Sequence, residues 1–303
     1  MARNNRRRVQ KKKKGGVGNV ISTIVIVLAL VVFLYAGYRL VSIYLDYKAG
    51  TDEYNALEEF ANGDKVTGGF IEGEMAANDT MGDEWGDASL QENIGGLRFE
   101  DMENPIDFAA LQAINEDVIG WIEVEALDIN YPIVVGDDND YYLHRTFRQQ
   151  DNFAGSIFMD YLCRPDFSGR NTIIYGHNMK NGSMFGMLHE FRKQETYDKS
   201  PYFWIYTKDR IYKYEIFSCA EVGTYSEIYQ IDFASSEQFQ NFIDVAKSRS
   251  VVATNADVSL NDTVVTLSTC TGNTETRFVV QGKRVRTFNA VEKAGGYGEM
   301  EIE

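Results

Sequence analysis

The sequence predicts a mainly β domain of eight strands, enough to close a small barrel with a few peripheral helices, preceded by one N-terminal transmembrane helix. Three observations predict it. The 303-residue chain is 44% hydrophobic and can bury a core. No charged side chain occurs from Gly15 to Tyr38. After Pro105 the pattern changes to short β-type runs separated by turn residues.

The charge is unevenly distributed. Residues 1–14 hold Arg3, Arg6, Arg7, Arg8 and Lys11 to Lys14 with no acid, while the whole chain carries −15. The acidic remainder argues against nucleic acid as a partner. The 24 uncharged residues that follow, centred on VISTIVIVLALVVFLYAG, span about 36 Å as a helix, enough for a hydrocarbon core of about 30 Å. We read 1–14 as a basic cytoplasmic tail and 15–45 as a single membrane-spanning helix. The positive-inside rule then leaves the rest of the chain outside the cell. A cleaved signal peptide shares the basic start, but this apolar run exceeds the usual 7 to 15 residues and no clear Ala-x-Ala site follows.

Residues 46–104 contain 16 acids, 3 bases and 9 glycines, with a short apolar stretch only at 54–60. This composition reads as an acidic, flexible stalk that self-repulsion extends. The segment EWGDASLQENIGGLRFED within it could dock as a short helix.

Residues 105–303 form the last domain. A helix is expected over 107–115, with Phe108, Leu111 and Ile114 on one face and Asp107 as its cap. Strands are expected at 118–124, 129–135, 155–161, 172–175, 202–207, 211–222, 263–269 and 277–286. Lys208-Asp209-Arg210 joins two aromatic-rich runs and predicts a hairpin. Ser235 and Gln238 make a capping-box pattern ahead of Phe239, Phe242, Ile243 and Ala246, which predicts a helix over 236–248. Met184, Phe185, Leu188 and Phe191 predict another helical turn or two over 183–191.

Chemistry is sought at the strand ends. The chain has three Cys and three His, too few for multi-cysteine zinc sites or a disulfide scaffold, and neither metal nor cofactor is expected. In TVVTLSTCTGN, Cys270 falls where an apolar strand runs into a Thr-Gly-Asn turn that can present its sulfur at a barrel rim. A thiol benefits from a cationic neighbour and a proton donor for the leaving group. His177 follows the strand NTIIY and a glycine, again at a strand end. Arg277 opens the next strand, so antiparallel pairing would bring its guanidinium near Cys270 and a developing oxyanion. Each also has a bland reading: Cys270 as a buried hydrophobe or half of a disulfide, His177 as a turn residue bonded to backbone, Arg277 as a solvated charge. Cys163 and Cys219 read as structural and could pair with each other. His144 and His189 lack a comparable setting.

Together these residues match a known family. The chain resembles the sortases, membrane-anchored cysteine transpeptidases of Gram-positive bacteria, and most closely class B. The resemblance rests on Thr266-Leu267-Ser268-Thr269-Cys270, Ile174-Tyr175-Gly176-His177-Asn178, Arg277-Phe278-Val279-Val280 and Gly155-Ser156-Ile157-Phe158-Met159-Asp160, in that family's order within 107–288. It implies an eight-stranded sortase β-barrel with Cys270 as nucleophile, His177 as general acid/base and Arg277 as oxyanion or substrate-positioning residue. Ser268 and Thr269 are implied to line the substrate groove. The helix between the sixth and seventh strands favours class B over class A. The lid and C-terminal membrane helix of pilus sortases are not evident in the sequence. Two departures bear on substrate preference: only six residues separate Cys270 from Arg277, and Thr271-Gly272 replace the acidic residue that some class B members carry after the cysteine.

The implied reaction cleaves a Leu-Pro-x-Thr-Gly-like sorting signal on secreted proteins and joins the acyl group to an amine of a peptidoglycan precursor or cross-bridge. Rival expectations are a pilin polymerase using a Lys amine, an ordinary cysteine hydrolase, and a non-catalytic surface-displayed binding module in which Cys270 is inert.

Overall fold

The computed structural model describes residues 17–61 and 99–292. The basic segment 1–14 and the centre of the acidic segment, 62–98, lie outside the described residues. The chain divides into two compact units, 1–49 and 50–303. The first is the beginning of α1 (Val17–Leu57), whose Val, Ile and Leu side chains are exposed from Val20 to Leu45. Lipid is the medium that satisfies such an apolar column, and this helix is long and apolar enough to cross a membrane. Its 41 residues amount to about 61 Å, roughly twice a bilayer core.

α1 therefore does not stop at residue 45, where the stalk was expected to begin. Within the second unit it continues to Leu57 and a 3-10 turn, Glu58–Ala61, with Tyr54, Leu57 and Ala61 buried. The physical reason is the apolar stretch at 54–60: it finds a surface to cover, and its burial offsets the ordering of the backbone.

The second unit is built in chain order from β1 (Asp101–Glu103), α2 (Phe108–Ile114), β2 (Val118–Val124), β3 (Ile129–Val134), β4 (Ile157–Met159), β5 (Asn171–Tyr175), α3 (Gln194–Lys199), β6 (Tyr202–Tyr206), β7 (Arg210–Gly223), α4 (Ser236–Arg249), β8 (Val264–Cys270) and β9 (Thr276–Val291). Strands β2 to β9 close an eight-stranded barrel in the order β9-β7-β6-β2-β3-β4-β5-β8, with β8 returning to β9. All eight expected strands are present. The three-residue β1 was not expected; it adds to β9 in parallel, Asp101 opposite Asn289.

Two pairings in the ring, β3–β4 and β5–β8, are parallel. Parallel neighbours need a crossover, and the segment 135–156 supplies the one between β3 and β4. The barrel interior is packed with Ile122, Ile133, Ile157, Phe203, Tyr214 and Leu267, all fully buried. Gly282 on β9 lets Phe203 stack on Tyr214 at 5.0 Å, since a Cβ there would fall 2.3 Å from the Phe203 ring.

α4 lies against β7, β8 and β9, burying Phe239, Phe242, Ile243 and Ala246 with Phe217, Val264 and Val279. Burial contributes about 1.5–3 kcal/mol for each Phe or Ile. Ser235 Oγ accepts from the Gln238 amide, as the capping pattern requires; the Gln238 side chain reaches one residue further back, to the amide of Ala234. The β6–β7 hairpin closes over Lys208-Asp209, with the Thr207 amide donating to the Arg210 carbonyl. α2 starts at Phe108 with Asp107 accepting from the Ala110 amide.

The helix expected over 183–191 is instead a 3-10 helix, Gly186–Arg192. Phe185, Leu188 and Phe191 are all fully buried at intervals of three, the period of the tighter helix. α3 follows directly and was not expected. Cys163 and Cys219 do not pair: both are free and buried, Cys163 receiving the Ile173 amide at 3.4 Å.

Candidate active site

The site forms where β5 and β8 end at the same rim. Their parallel register sets Tyr175 beside Ser268, and the Gly176 amide extends the ladder by donating to the Ser268 carbonyl at 3.1 Å. On the other side of β8, antiparallel pairing places Cys270 directly opposite Arg277. His177, Cys270 and Arg277 thus line one cleft of about 240 Å³, together with Asn139, Leu143, Phe158, Tyr175, Gly176, Ser268 and Thr269.

Each side chain is held by a different device. Arg277 donates to the carbonyls of Thr274 and Thr276 at 3.1 and 2.9 Å, so the short turn after Cys270 orients the guanidinium through its own backbone. Gly272, at φ +91°, takes the left-handed conformation that makes this turn possible. Thr271 contributes its hydroxyl to the turn, 2.6 Å from the Thr276 hydroxyl.

His177 Nε2 lies 2.8 Å from the Leu143 carbonyl. A carbonyl only accepts, so Nε2 carries the proton and Nδ1 holds the free lone pair of the neutral ring. Burial pushes the imidazole below its ordinary value and nearby His144 adds to this, while the Leu143 bond acts in the opposite direction. At neutral pH the ring is therefore mainly neutral, able to take a proton at Nδ1 and return it.

Cys270 is half-buried, unlike the other two cysteines. Burial pushes the Cys163 thiol up to about 12 and Cys219 further still, so both are held as thiols. The Cys270 carbonyl accepts two bonds, from Asn178 Nδ2 at 2.9 Å and from His189 Nε2 at 2.9 Å. Sequence reasoning passed over both donors. An α-helical reading of 183–191 puts His189 on the polar face; the 3-10 winding turns it to the rim, its ring 5.1 Å from Phe278.

Ser268 and Thr269 line the cleft and are almost fully buried. The Thr269 hydroxyl donates to the Gly176 carbonyl at 2.8 Å, securing the residue before His177. Ser268 shares a 2.8 Å hydrogen bond with Tyr229, which stacks on Tyr175. Tyr229 was not singled out from the sequence. Beneath the cleft, Asp160 accepts from Asn139 and Tyr175, both at 2.9 Å. Among the described residues no group of three His, Cys, Asp or Glu side chains is placed to hold a metal ion.

This arrangement offers a thiol, an imidazole with a free lone pair and a fixed cation in one cleft, the parts of covalent acyl transfer. The sortase domain family model matches residues 122–285, spanning β2 to β9 and all three groups. Sortase B of Listeria monocytogenes serovar 1/2a (strain ATCC BAA-679 / EGD-e) is 38% identical over 178 residues, 58% of this chain and 72% of that protein. Sortase B from B. anthracis in complex with AAEK1 superposes with a TM-score of 0.62 at 32% identity, covering 80% of this chain and all of that one. The Staphylococcus aureus sortase B–substrate complex gives 0.57 at 33% identity, covering 59% and 84%. With the barrel, the α4 insertion between β7 and β8 and the sequence of its rim all in agreement, the chain belongs to the sortase family, in its class B, and is a cysteine transpeptidase.

Proposed function

We propose that Cys270 is the nucleophile, His177 the proton shuttle and Arg277 the oxyanion and substrate-positioning cation in anchoring secreted proteins to the cell wall. The observation that carries this reading is the meeting of these three residues in one cleft, with Cys270 across the β8–β9 ladder from Arg277. The Cys270 thiolate attacks the Thr carbonyl of a Leu-Pro-x-Thr-Gly-like signal. Negative charge gathers on that oxygen beside the Arg277 guanidinium. As the tetrahedral intermediate collapses, the Thr–Gly bond breaks and protonated His177 gives its Nδ1 proton to the departing amine. A thioester remains on Cys270. An amine of a peptidoglycan precursor or cross-bridge then attacks the thioester, His177 takes its proton, and the thiolate leaves as the new amide forms.

This cycle needs Cys270 ionised and His177 protonated together. Burial disfavours the imidazolium, so the competent fraction is small at neutral pH. α1 supports membrane attachment, and the eight basic residues of 1–14 support a cytoplasmic N-terminus with the barrel outside.

The test is intact mass of the detergent-solubilised chain after mixing with a panel of sorting-signal peptides, beside Cys270→Ala. The reading expects a gain equal to the peptide's N-terminal fragment, absent in Cys270→Ala and discharged by an added oligoglycine or diaminopimelate-containing amine. Discharge by water at the same rate with or without amine would make the chain a hydrolase instead. Discharge only by a pilin Lys peptide would make it a polymerase.

A further inference from the structure

We infer that the end of α1 belongs to the catalytic apparatus, with Tyr54 as a positioning residue for the histidine side of the cleft; this rests on the roles given above to His177 and Cys270. Tyr54 is buried, and its hydroxyl donates to the Gly155 carbonyl at 2.7 Å, with Ser156 Oγ at 3.2 Å as a second acceptor. The Ser156 hydroxyl donates to the Arg145 carbonyl at 2.8 Å, and its amide donates to the Tyr142 carbonyl at 2.9 Å. These bonds bracket Leu143, whose carbonyl holds His177.

The backbone here leaves no slack. Gly155 sits at φ +58°, and a Cβ on it would lie 2.6 Å from the Leu143 oxygen and 2.8 Å from the Tyr142 oxygen. The peptide that Tyr54 grips is therefore pressed against the carbonyl that orients the imidazole. A shift of a few tenths of an ångström at Gly155 is transmitted to Leu143, because no space lies between them.

Tyr54 also reaches the other side of the site. Its ring packs edge-on against Tyr131 at 5.4 Å, and the Tyr131 hydroxyl accepts from the Met184 amide at 3.1 Å. Met184, at φ +56°, bridges to Asn178, whose side chain holds the Cys270 carbonyl. One side chain of α1 thus supports both the segment whose Leu143 carbonyl holds His177 and the loop whose Asn178 holds the Cys270 carbonyl. Packing alone needs only the ring; the hydroxyl serves the Gly155–Ser156 peptide.

Tyr54→Phe in the full-length, detergent-solubilised chain keeps the ring and removes the hydroxyl. Two readouts are taken: acyl transfer from a sorting-signal peptide to an amine, and titration of His177 by NMR with histidine labelled at Cε1, which gives one signal for each of the three histidines. The groups facing His177 are His144 on the 142–156 segment, Cys270 on β8 and Arg277 on β9, all unchanged by the substitution. The expected result is a fall of about tenfold in kcat with KM within about twofold, as for loosened alignment of a reacting group. The His177 midpoint should move down, because the Leu143 bond that favours the protonated ring is weakened. Ser156→Ala should act in the same direction by a smaller factor, and it carries the test if Tyr54→Phe does not fold. Parental kcat and parental His177 titration in a folded Tyr54→Phe chain would overturn the inference. So would a kcat loss with the His177 midpoint unmoved, which would leave Tyr54 a packing residue. If the parent chain transfers no peptide at all, the transpeptidase roles fail, and the His177 titration alone still decides whether Tyr54 sets the histidine.

Discussion

Cys270 and Arg277 stand at the end of seven consecutive β8–β9 pairs, from Val264 opposite Lys283 to Cys270 opposite Arg277. His177 stands beyond the end of β5 and depends on Leu143, a carbonyl from the 135–156 crossover. One wall of the cleft is thus fixed by strand register, in which a slip of a single residue would turn every side chain to the other face. The other is fixed by loop against loop, with hydrogen bonds from Tyr54, Ser156, Asn178 and Thr269 in place of a ladder. Cys270 and Arg277 thus form a rigid unit, while His177 is held by contacts that individual substitutions can loosen.

Changes on the rigid wall should have the largest effects. Cys270→Ala should abolish thioester formation, a loss of at least about 10³-fold in single-turnover transfer. Arg277→Lys keeps the charge and loses the planar fork that donates to Thr274 and Thr276, and should lower kcat about 10²-fold with little change in melting temperature. An effect of Arg277→Lys under about threefold would show that only charge matters there. Leu267→Ala, fully buried in β8 three residues before Cys270, should cost about 2–5 kcal/mol in a denaturant titration, since the barrel leaves it no room to collapse.

Changes on the loop wall should be smaller and graded. His189→Ala removes one of two donors to the Cys270 carbonyl, and transfer should fall about five- to tenfold, as expected for about 1 kcal/mol. Asn178→Ala should do the same, and the double variant should lose more than either. Equal losses from His189→Ala and Arg277→Lys would break the distinction between the walls.

The smallest effect is on stability against pH. Burial lowers the His177 value in the folded chain, so between that value and the ordinary histidine value of about 6.5 the unfolded chain binds more protons. Stability then rises with pH across this window and is lost as pH falls from about 6.5 toward the folded value. His177→Gln should flatten this part of the slope relative to the parent in melts between pH 5 and 8. An unchanged slope would mean that the ring is as well solvated folded as unfolded.

What was legible in the sequence follows the same division. The eight strands could be read because β-branched and aromatic runs with turn residues at their ends carry their own period, and α4 because its cap and its stripe agree. The meeting of Cys270, His177 and Arg277 at one rim could be read because all three sit where strands end. The donors to the Cys270 carbonyl could not: they come from a loop and a 3-10 helix whose only signal is the spacing of Phe185, Leu188 and Phe191 at three residues. Nor could Tyr54, more than a hundred residues from Gly155 in an acidic segment whose average composition hides one short apolar stretch. Long-range contacts between irregular segments leave no local period to read.

One cysteine of three, Cys270, is set apart by where it stands, half-buried at the cleft while Cys163 and Cys219 are buried. The most direct measurement is labelling of the native full-length chain with a sorting-signal peptide that carries a thiol-reactive electrophile in place of the scissile bond, followed by peptide mapping. A single adduct is expected on Cys270, with Cys163 and Cys219 labelled only after denaturation. An adduct on Cys163 or Cys219 in the native chain, or a Cys270 that reacts no faster with the peptide than with a small alkylating reagent, would contradict it.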